Sequence, residues 1–370
     1  MRSTKKTPQV SARTRCGLTM IEVIVCISIL ATLAALLLPA TRSARGTARR
    51  TQCQNNLRNV GLAVQAYSTA KRGAVPPLTG GFSIAGPSRP NTAPWSVHLQ
   101  PYLESSPLYD SLQSAAPTEI NQLAQLQIET YYCPDAKNSG KGGLSYVANA
   151  GVIANDDWSQ ADSIAHSRER YDFAFNGYGE GNLNAEDQLL AVASGVFWRE
   201  PASNAGLFQS PRTLDEISRA DGSSQTILLS ENLNTRSFDP ATHTGGWISD
   251  ATGDIAFGIT LAGHESGGQF RVADKETPGG VGVVGGPIET GLQLSEQPVS
   301  AECRINANRS NAKDGASPRP SSGHPGVVNM AFADGSCKVI FEGIDPTVYA
   351  RLLTPAGSQH GQVSVSSSDF

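Results

Sequence analysis

The chain has 370 residues, enough for one large domain or two ordinary ones, and its 39% hydrophobic and 6% aromatic content excludes a polytopic membrane protein. The net charge of −4 hides an asymmetry: residues 1–50 carry nine Lys or Arg against one acid, Glu22, which leaves twenty basic and thirty-two acidic residues, net −12, beyond position 50. An acidic head without a basic run does not neutralise phosphates, so no nucleic-acid partner is expected.

Residues 1–17 form a short basic leader. Residues 18–40, LTMIEVIVCISILATLAALLLPA, carry a single charge. As a helix this run spans roughly 34 Å, just over the hydrocarbon core of a bilayer. A secretory signal peptide has an apolar stretch of only about 7–15 residues, so cleavage near Ala44 is the weaker reading. A plain anchor fits the length but leaves Glu22 unexplained. A carboxylate at membrane depth costs on the order of 2.5–3.5 kcal/mol, and such a residue is a functional candidate.

Gly17-Leu18-Thr19-Met20-Ile21-Glu22 resembles the prepilin cleavage and methylation site, with Leu18 where Phe is more usual. The resemblance implies that a membrane prepilin peptidase cuts after Gly17 and methylates the new N-terminus on Leu18. Glu22 then becomes the fifth residue of the cleaved chain, where the neighbouring subunit's N-terminal ammonium can pair with it in a helical bundle. Pro39 also resembles the proline that pilin stalk helices often carry. Arg42, Arg45, Arg49 and Arg50 follow the span closely, so orientation rests on this signature rather than on the positive-inside rule.

Past Pro39 the helical pattern resumes. Cys53, Leu57, Val60, Val64 and Tyr67 fall on one apolar stripe at helical spacing, opposite Gln52, Asn55, Arg58 and Gln65. This predicts a stalk helix over residues 18–72 that stops near Gly73 and Pro76-Pro77. An exported globular head follows over 73–356, then a disordered tail over 357–370. Within the head, residues 95–129 suggest one or two helices. Strand candidates are 144–148, 194–198, 225–230, 255–261 and 281–284, with 73–94, 201–213 and 262–325 as long loops. The strongest strand pair is 326–333 with 336–342, joined by Asp334-Gly335 as a two-residue type I′ turn. That register pairs Phe332 with Cys337, Met330 with Val339 and Val328 with Phe341, gathering six apolar side chains on one face.

Cys53-Gln54-Asn55-Asn56-Leu57, Pro101-Tyr102-Leu103-Glu104, Tyr132-Cys133-Pro134-Asp135, Asp221-Gly222-Ser223 with Thr226-Ile227-Leu228, and His324 with Asp334-Gly335 resemble, in this order, a large bacterial family of prepilin-like proteins with a head domain of unknown function. That family is recognised by a His, nine residues and Asp-Gly, a spacing met here by Pro325 to Ala333. The resemblance implies an α+β fold: a long N-terminal helix packed on an elaborated antiparallel sheet. It supplies no activity, and an old label of solute-binding protein is only a hypothesis for the domain. His324 sits before the first strand of the hairpin, too far along the chain to touch Asp334. It is expected to be structural, capping the start of that strand or bonding a neighbouring loop. Gly335→Val is accordingly ranked as more damaging than His324→Ala.

No catalytic residue, cofactor or metal is expected. Gly280-Val281-Gly282-Val283-Val284-Gly285 has dinucleotide-loop spacing, but KETPG precedes it and Gly286-Pro287 stops any helix, so it reads as a glycine-rich loop or strand. The six histidines lack zinc-ligand spacing and no Cys-x-x-Cys occurs. Asn155, Asp156, Asp157 and Asp162 read as a solvated acidic loop rather than a calcium loop. Cys16 lies in the leader and Cys26 in the apolar run, while Cys53, Cys133, Cys303 and Cys337 lie in the exported part, where disulfides or buried free thiols are both open. Four cysteines allow three pairings, and nothing in the sequence chooses among them. The expectation adopted is Cys53 with Cys133, tying stalk to head, and Cys303 with Cys337.

The expected function is that of a non-catalytic pilin-like or pseudopilin subunit in the inner membrane, its head extracytoplasmic. Its expected partners are prepilin peptidase and other pilin-like subunits or secretion-system assembly proteins. The alternative is a membrane-tethered extracytoplasmic ligand-binding module that never assembles.

Overall fold

A computed structural model describes residues 19–85, 90–103, 105–136, 140–154, 193–199, 212–242, 245–265, 269–273, 281–284, 305–306, 319–360, 362–366 and 368–370. Two compact units divide the chain after Ala48. Helix α1, Met20–Ala70, contributes to both.

In the first unit α1 opens on a capping box. The Thr19 amide donates to Glu22 Oε2 at 2.8 Å, and the Glu22 amide donates to Thr19 Oγ1 at 3.4 Å, satisfying two amides that the first turn leaves without helical partners. Met20–Leu38 is long and apolar enough to cross a membrane, and its large side chains, Leu36 and Ile21 among them, are exposed. The Ser28 and Thr32 hydroxyls donate back to the Val25 and Ile29 carbonyls at 2.8 Å, which hides their polarity from an apolar surrounding. The helix runs unbroken through Pro39.

In the second unit the stripe predicted from spacing is buried: Cys53, Leu57, Val60 and Val64 are fully inaccessible. Gly73, at φ +90°, ends the helix, its amide donating to the Ser68 carbonyl at 2.7 Å, a left-handed C-terminal stop open to glycine. Short helices α2 (Trp95–His98), α3 (Ser106–Ser114) and α4 (Pro117–Ala124) follow.

The head is α+β, built on a seven-stranded sheet in the order β7-β6-β5-β3-β4-β8-β9. The strands are β3 (Tyr146–Ala154), β4 (Ile227–Glu231), β5 (Ala256–Glu265), β6 (Gln269–Ala273), β7 (Val281–Val284), β8 (Val327–Phe332) and β9 (Cys337–Phe341). One face carries Tyr146, Ala148, Leu229 and Ala331 against α1 and the Trp95–Tyr131 region. The other carries Val147, Val328, Met330 and Phe332 against Tyr349 and Leu352 of a C-terminal helix over Pro346–Leu353. Alternation along β3 therefore feeds two cores, one on each side. Gly61 comes close enough to β8 that a Cβ there would lie 3.4 Å from the Ala331 Cβ.

Five expectations need correction. The sheet is mixed: β3 and β5 pair in parallel, which the long connection between them permits, since parallel neighbours need a crossover. Residues 79–94, read as loop, form a separate hairpin of β1 (Thr79–Ala85) and β2 (Pro90–Pro94). Residues 194–198 form no strand, and only Arg199 bridges to Thr79.

The tail is packed rather than frayed. Asp221 accepts from the Gly357 and Ser358 amides at 2.6 and 2.9 Å. Val365 is buried, and Phe370 stacks on Phe332 at 5.7 Å. The Lys338 ammonium lies 4.6 and 4.4 Å from those two ring centres, a cation–π contact. The Gly- and Ser-rich composition hid these anchors.

The C-terminal hairpin is also one residue out of the expected register. Val328 pairs with Ile340, Met330 with Lys338 and Ala331 with Cys337. The Phe332 amide donates to the Ser336 carbonyl and the Gly335 amide to the Phe332 carbonyl, both at 2.9 Å. Gly335 has φ +81°, whereas Asp334 is not left-handed. The loop is thus three residues closed by a left-handed glycine, not a type I′ turn. Cys337 and Phe341 consequently leave the Phe332 face, and Phe341 is 63% exposed.

A buried histidine–carboxylate cluster against a disulfide as candidate functional site

Four segments far apart in sequence meet under α1. The helix supplies Cys53, and the loop after a short turn at Glu129–Tyr131 supplies Cys133 and Asp135. The end of β4 supplies Glu231, and the approach to β8 supplies His324.

Cys53 and Cys133 are disulfide-bonded across 80 residues, with Cα atoms 4.9 Å apart, so the bond ties α1 to the head. Tyr146 braces it, its hydroxyl donating to the Cys53 carbonyl at 3.0 Å. Burial, reinforced by the Glu231 charge, pushes the Tyr146 phenol well above its ordinary range. Asn56 donates to the Glu129 and Tyr132 carbonyls at 3.0 and 2.9 Å, fixing the loop that carries Cys133.

His324 is 2% exposed. Its Nδ1 lies 3.1 Å from Asp135 Oδ2, and its Nε2 lies 3.6 Å from Glu231 Oε1 and 3.7 Å from Cys133 Sγ. Asp135 also meets Arg49 of α1 at 3.1 Å. Glu231 is fastened by Asn329, whose amide donates to Oε2 at 3.0 Å and whose side chain donates to Oε1 at 2.9 Å. Hydrogen bonding and charge pairing of this kind make burial of a carboxylate tolerable.

The backbone around the histidine is equally constrained. The His324 amide donates to Ser322 Oγ at 3.1 Å and the Ser321 amide to the Glu231 carbonyl at 2.9 Å. Ser321 Oγ accepts from the Leu233 amide at 2.9 Å and donates to Asn232 Oδ1 at 3.2 Å. A Cβ on Gly323 would lie 2.3 Å from the Asp135 carbonyl oxygen, so glycine lets the two segments touch.

A profile described as a protein of unknown function, DUF1559, matches residues 42–347. The chain belongs to this family. The matched span starts after the apolar run and contains every residue of the cluster. No curated protein and no solved structure matches the chain.

Of the residues expected from sequence, Cys53, Cys133 and His324 come together. The other half of the family signature, Asp334 and Gly335, stands in the β8–β9 turn, where the Asp334 amide donates to the Ser223 carbonyl at 3.0 Å and its Oδ1 accepts from the Ser336 amide at 2.8 Å. Glu22 belongs to the other unit. Gly17, Leu18, Cys303 and the acidic loop at Asn155–Asp157 and Asp162 lie outside the described residues.

Cys337 is a free thiol, against the expected bond to Cys303. The hairpin register turns it toward α1, where its carbonyl accepts from Gln54 at 3.2 Å. Burial, with the Glu231 charge adding to it, pushes the thiol up to about 12.

Sequence reading missed Glu231 and Asn329. The available signal was a lone carboxylate closing the apolar run Thr226-Ile227-Leu228-Leu229-Ser230-Glu231, and a lone Asn inside a strand of apolar residues. Among the cluster's residues, Cys53, Cys133, Glu231 and His324 each offer a ligand-type atom, and these atoms all lie within 4.8 Å of one another.

Proposed function

We propose that this chain is a structural, non-catalytic pilin-like subunit. In this reading it is inserted in the inner membrane with its head extracytoplasmic, and prepilin peptidase cleaves it after Gly17. The carrying observation is the continuity of α1: an exposed apolar segment, Met20–Leu38, runs as one helix into the buried stripe Cys53–Val64. Such a helix offers lipid or other helices its first part while a globular domain grips its second. Glu22 supports the reading, because a carboxylate in the first turn of an apolar span requires a positive partner. Capping by Thr19 engages Oε2, and the N-terminal ammonium of an adjacent subunit is the partner assigned to the charge.

The cleaved chain has 353 residues once the 17-residue leader is removed. A head as large as residues 73–356 repeats densely only with difficulty, which favours a minor or surface-exposed subunit of a type II secretion or type IV pilus-like complex. Site-directed crosslinking through single cysteines at positions 24–34 in native membranes tests assembly. Homotypic or pilin-subunit adducts that disappear in Glu22→Ala are expected. A strict monomer throughout would instead mark a tethered ligand-binding module.

A further inference from the structure

The disulfide, the histidine and Glu231 have a relationship that a purely structural lock does not need. Asp135 holds Nδ1 of His324, so Nε2 is aimed at the Glu231 carboxylate and the Cys133 sulfur. A carboxylate on one imidazole nitrogen, leaving the other toward soft and hard donors, is the outer-shell arrangement that orients metal-ligating histidines. In a tetrahedral zinc site, Zn–S near 2.3 Å and Zn–N and Zn–O near 2.0–2.2 Å place sulfur and nitrogen about 3.6 Å apart, and nitrogen and oxygen about 3.4 Å apart. The observed separations are 3.7 Å and 3.6 Å. Of the two Glu231 oxygens, Oε2 is held by the Asn329 amide, and Oε1, which also accepts from the Asn329 side chain at 2.9 Å, keeps a second lone pair with which to act as a single-oxygen ligand. All four ligand residues are buried.

We infer that Cys53, Cys133, His324 and Glu231 form a redox-gated site for a zinc-class divalent cation, of which the disulfide is the closed, oxidised form. A dithiol reductant opens it. The S–S bond breaks, two electrons and two protons pass from the dithiol, and the dithiol closes to its own disulfide. The two thiols then give up two protons as the thiolates bind the cation alongside Nε2 and Oε1. Ligands drawn from four distant segments have no local spacing motif, which is why a search for paired cysteines or histidines passes over them.

The probe is cobalt(II), whose thiolate charge-transfer and tetrahedral d–d bands report this donor set. The full chain is used in detergent, with Cys16, Cys26, Cys303 and Cys337 changed to Ser, then reduced and desalted without oxygen. One equivalent of cobalt is expected to give both bands, zinc to displace it, and the oxidised protein to give neither. Asp135→Asn is expected to keep the bands but weaken affinity about tenfold or more, as loss of an outer-shell partner does. His324→Gln or Cys133→Ser is expected to abolish the tetrahedral thiolate spectrum. The inference is overturned if the reduced chain shows no thiolate band, if the band survives changing both Cys53 and Cys133 to Ser, or if reduction unfolds the head by circular dichroism and cobalt does not restore it.

Discussion

Nδ1 of His324 lies 3.1 Å from Oδ2 of Asp135, and the glycine before that histidine passes the carbonyl of the same aspartate with no room for a side chain. The segment before β8 is therefore held to the Cys133–Asp135 loop by a side-chain contact and by backbone contact. Because Asp135 also meets Arg49, the contact reaches α1 as well as the sheet.

Gly323→Ala tests the backbone half of that contact. Its Cβ would lie 2.3 Å from a carbonyl oxygen, so the segments must separate. Loss of about 1–3 kcal/mol in urea denaturation is expected, as for other overpacked sites. An unchanged midpoint would show that the segments part freely.

Removing His324 tests the side-chain half. His324→Ala empties a buried ring site and takes a side-chain partner from the buried Glu231 carboxylate and from Asp135, and the cavity with the lost partner costs on the order of 2–5 kcal/mol. Gly335→Val forces a side chain into a left-handed residue at φ +81°, with the Gln65 and Leu62 side chains 3.3 and 3.4 Å from the new Cβ. A cost of roughly 1–3 kcal/mol follows. Burial of the ring thus reverses the ranking drawn from sequence, and parallel melts of the two variants check the order.

Cys53→Ser with Cys133→Ser removes the tie between α1 and the head. Closing an 80-residue loop stabilises by about 4–5 kcal/mol in the chain-entropy model, and native disulfides are typically worth 2–5. The denaturation midpoint of the double variant is expected to fall by that equivalent and to become insensitive to reductant. A midpoint equal to that of the oxidised parent would assign the bond no share of stability.

Cys337 gives a pH dependence. With its thiol pushed up to about 12, only about one molecule in ten thousand is thiolate at pH 8, so alkylation is expected to run at least a hundredfold slower than for a free cysteine. The linkage sign follows. A group whose folded value is raised lends stability that is complete below the unfolded value, about 8.5, and is lost as pH climbs toward about 12. Cys337→Ser is expected to flatten that part of the stability profile. Rapid labelling of the folded chain at pH 8 would contradict the burial of this thiol.

Periodicity made the stripe Cys53–Val64 legible, and alternating apolar runs marked the places of β4, β5, β7, β8 and β9. What sequence could not carry was pairing. Parallel β3–β5 contact depends on a connection with no local pattern, and the β8–β9 register turned on whether Asp334 is left-handed, which Asp-Gly alone leaves undecided. The cluster was half legible for the same reason. His324, Cys133 and Cys53 stood out as motif residues, whereas Glu231 and Asn329 acquire meaning only when β4 and β8 pair and bring them face to face.

The most direct test of the pilin-like account is mass spectrometry of the N-terminal peptide from chain purified out of membranes that contain a prepilin peptidase. The account predicts a chain beginning at Leu18 with an N-methylated terminus, and an uncleaved leader in Gly17→Asp, whose charged side chain does not fit a protease site built for glycine. A leader left intact on the parent chain, or cleavage near Ala44, would contradict it.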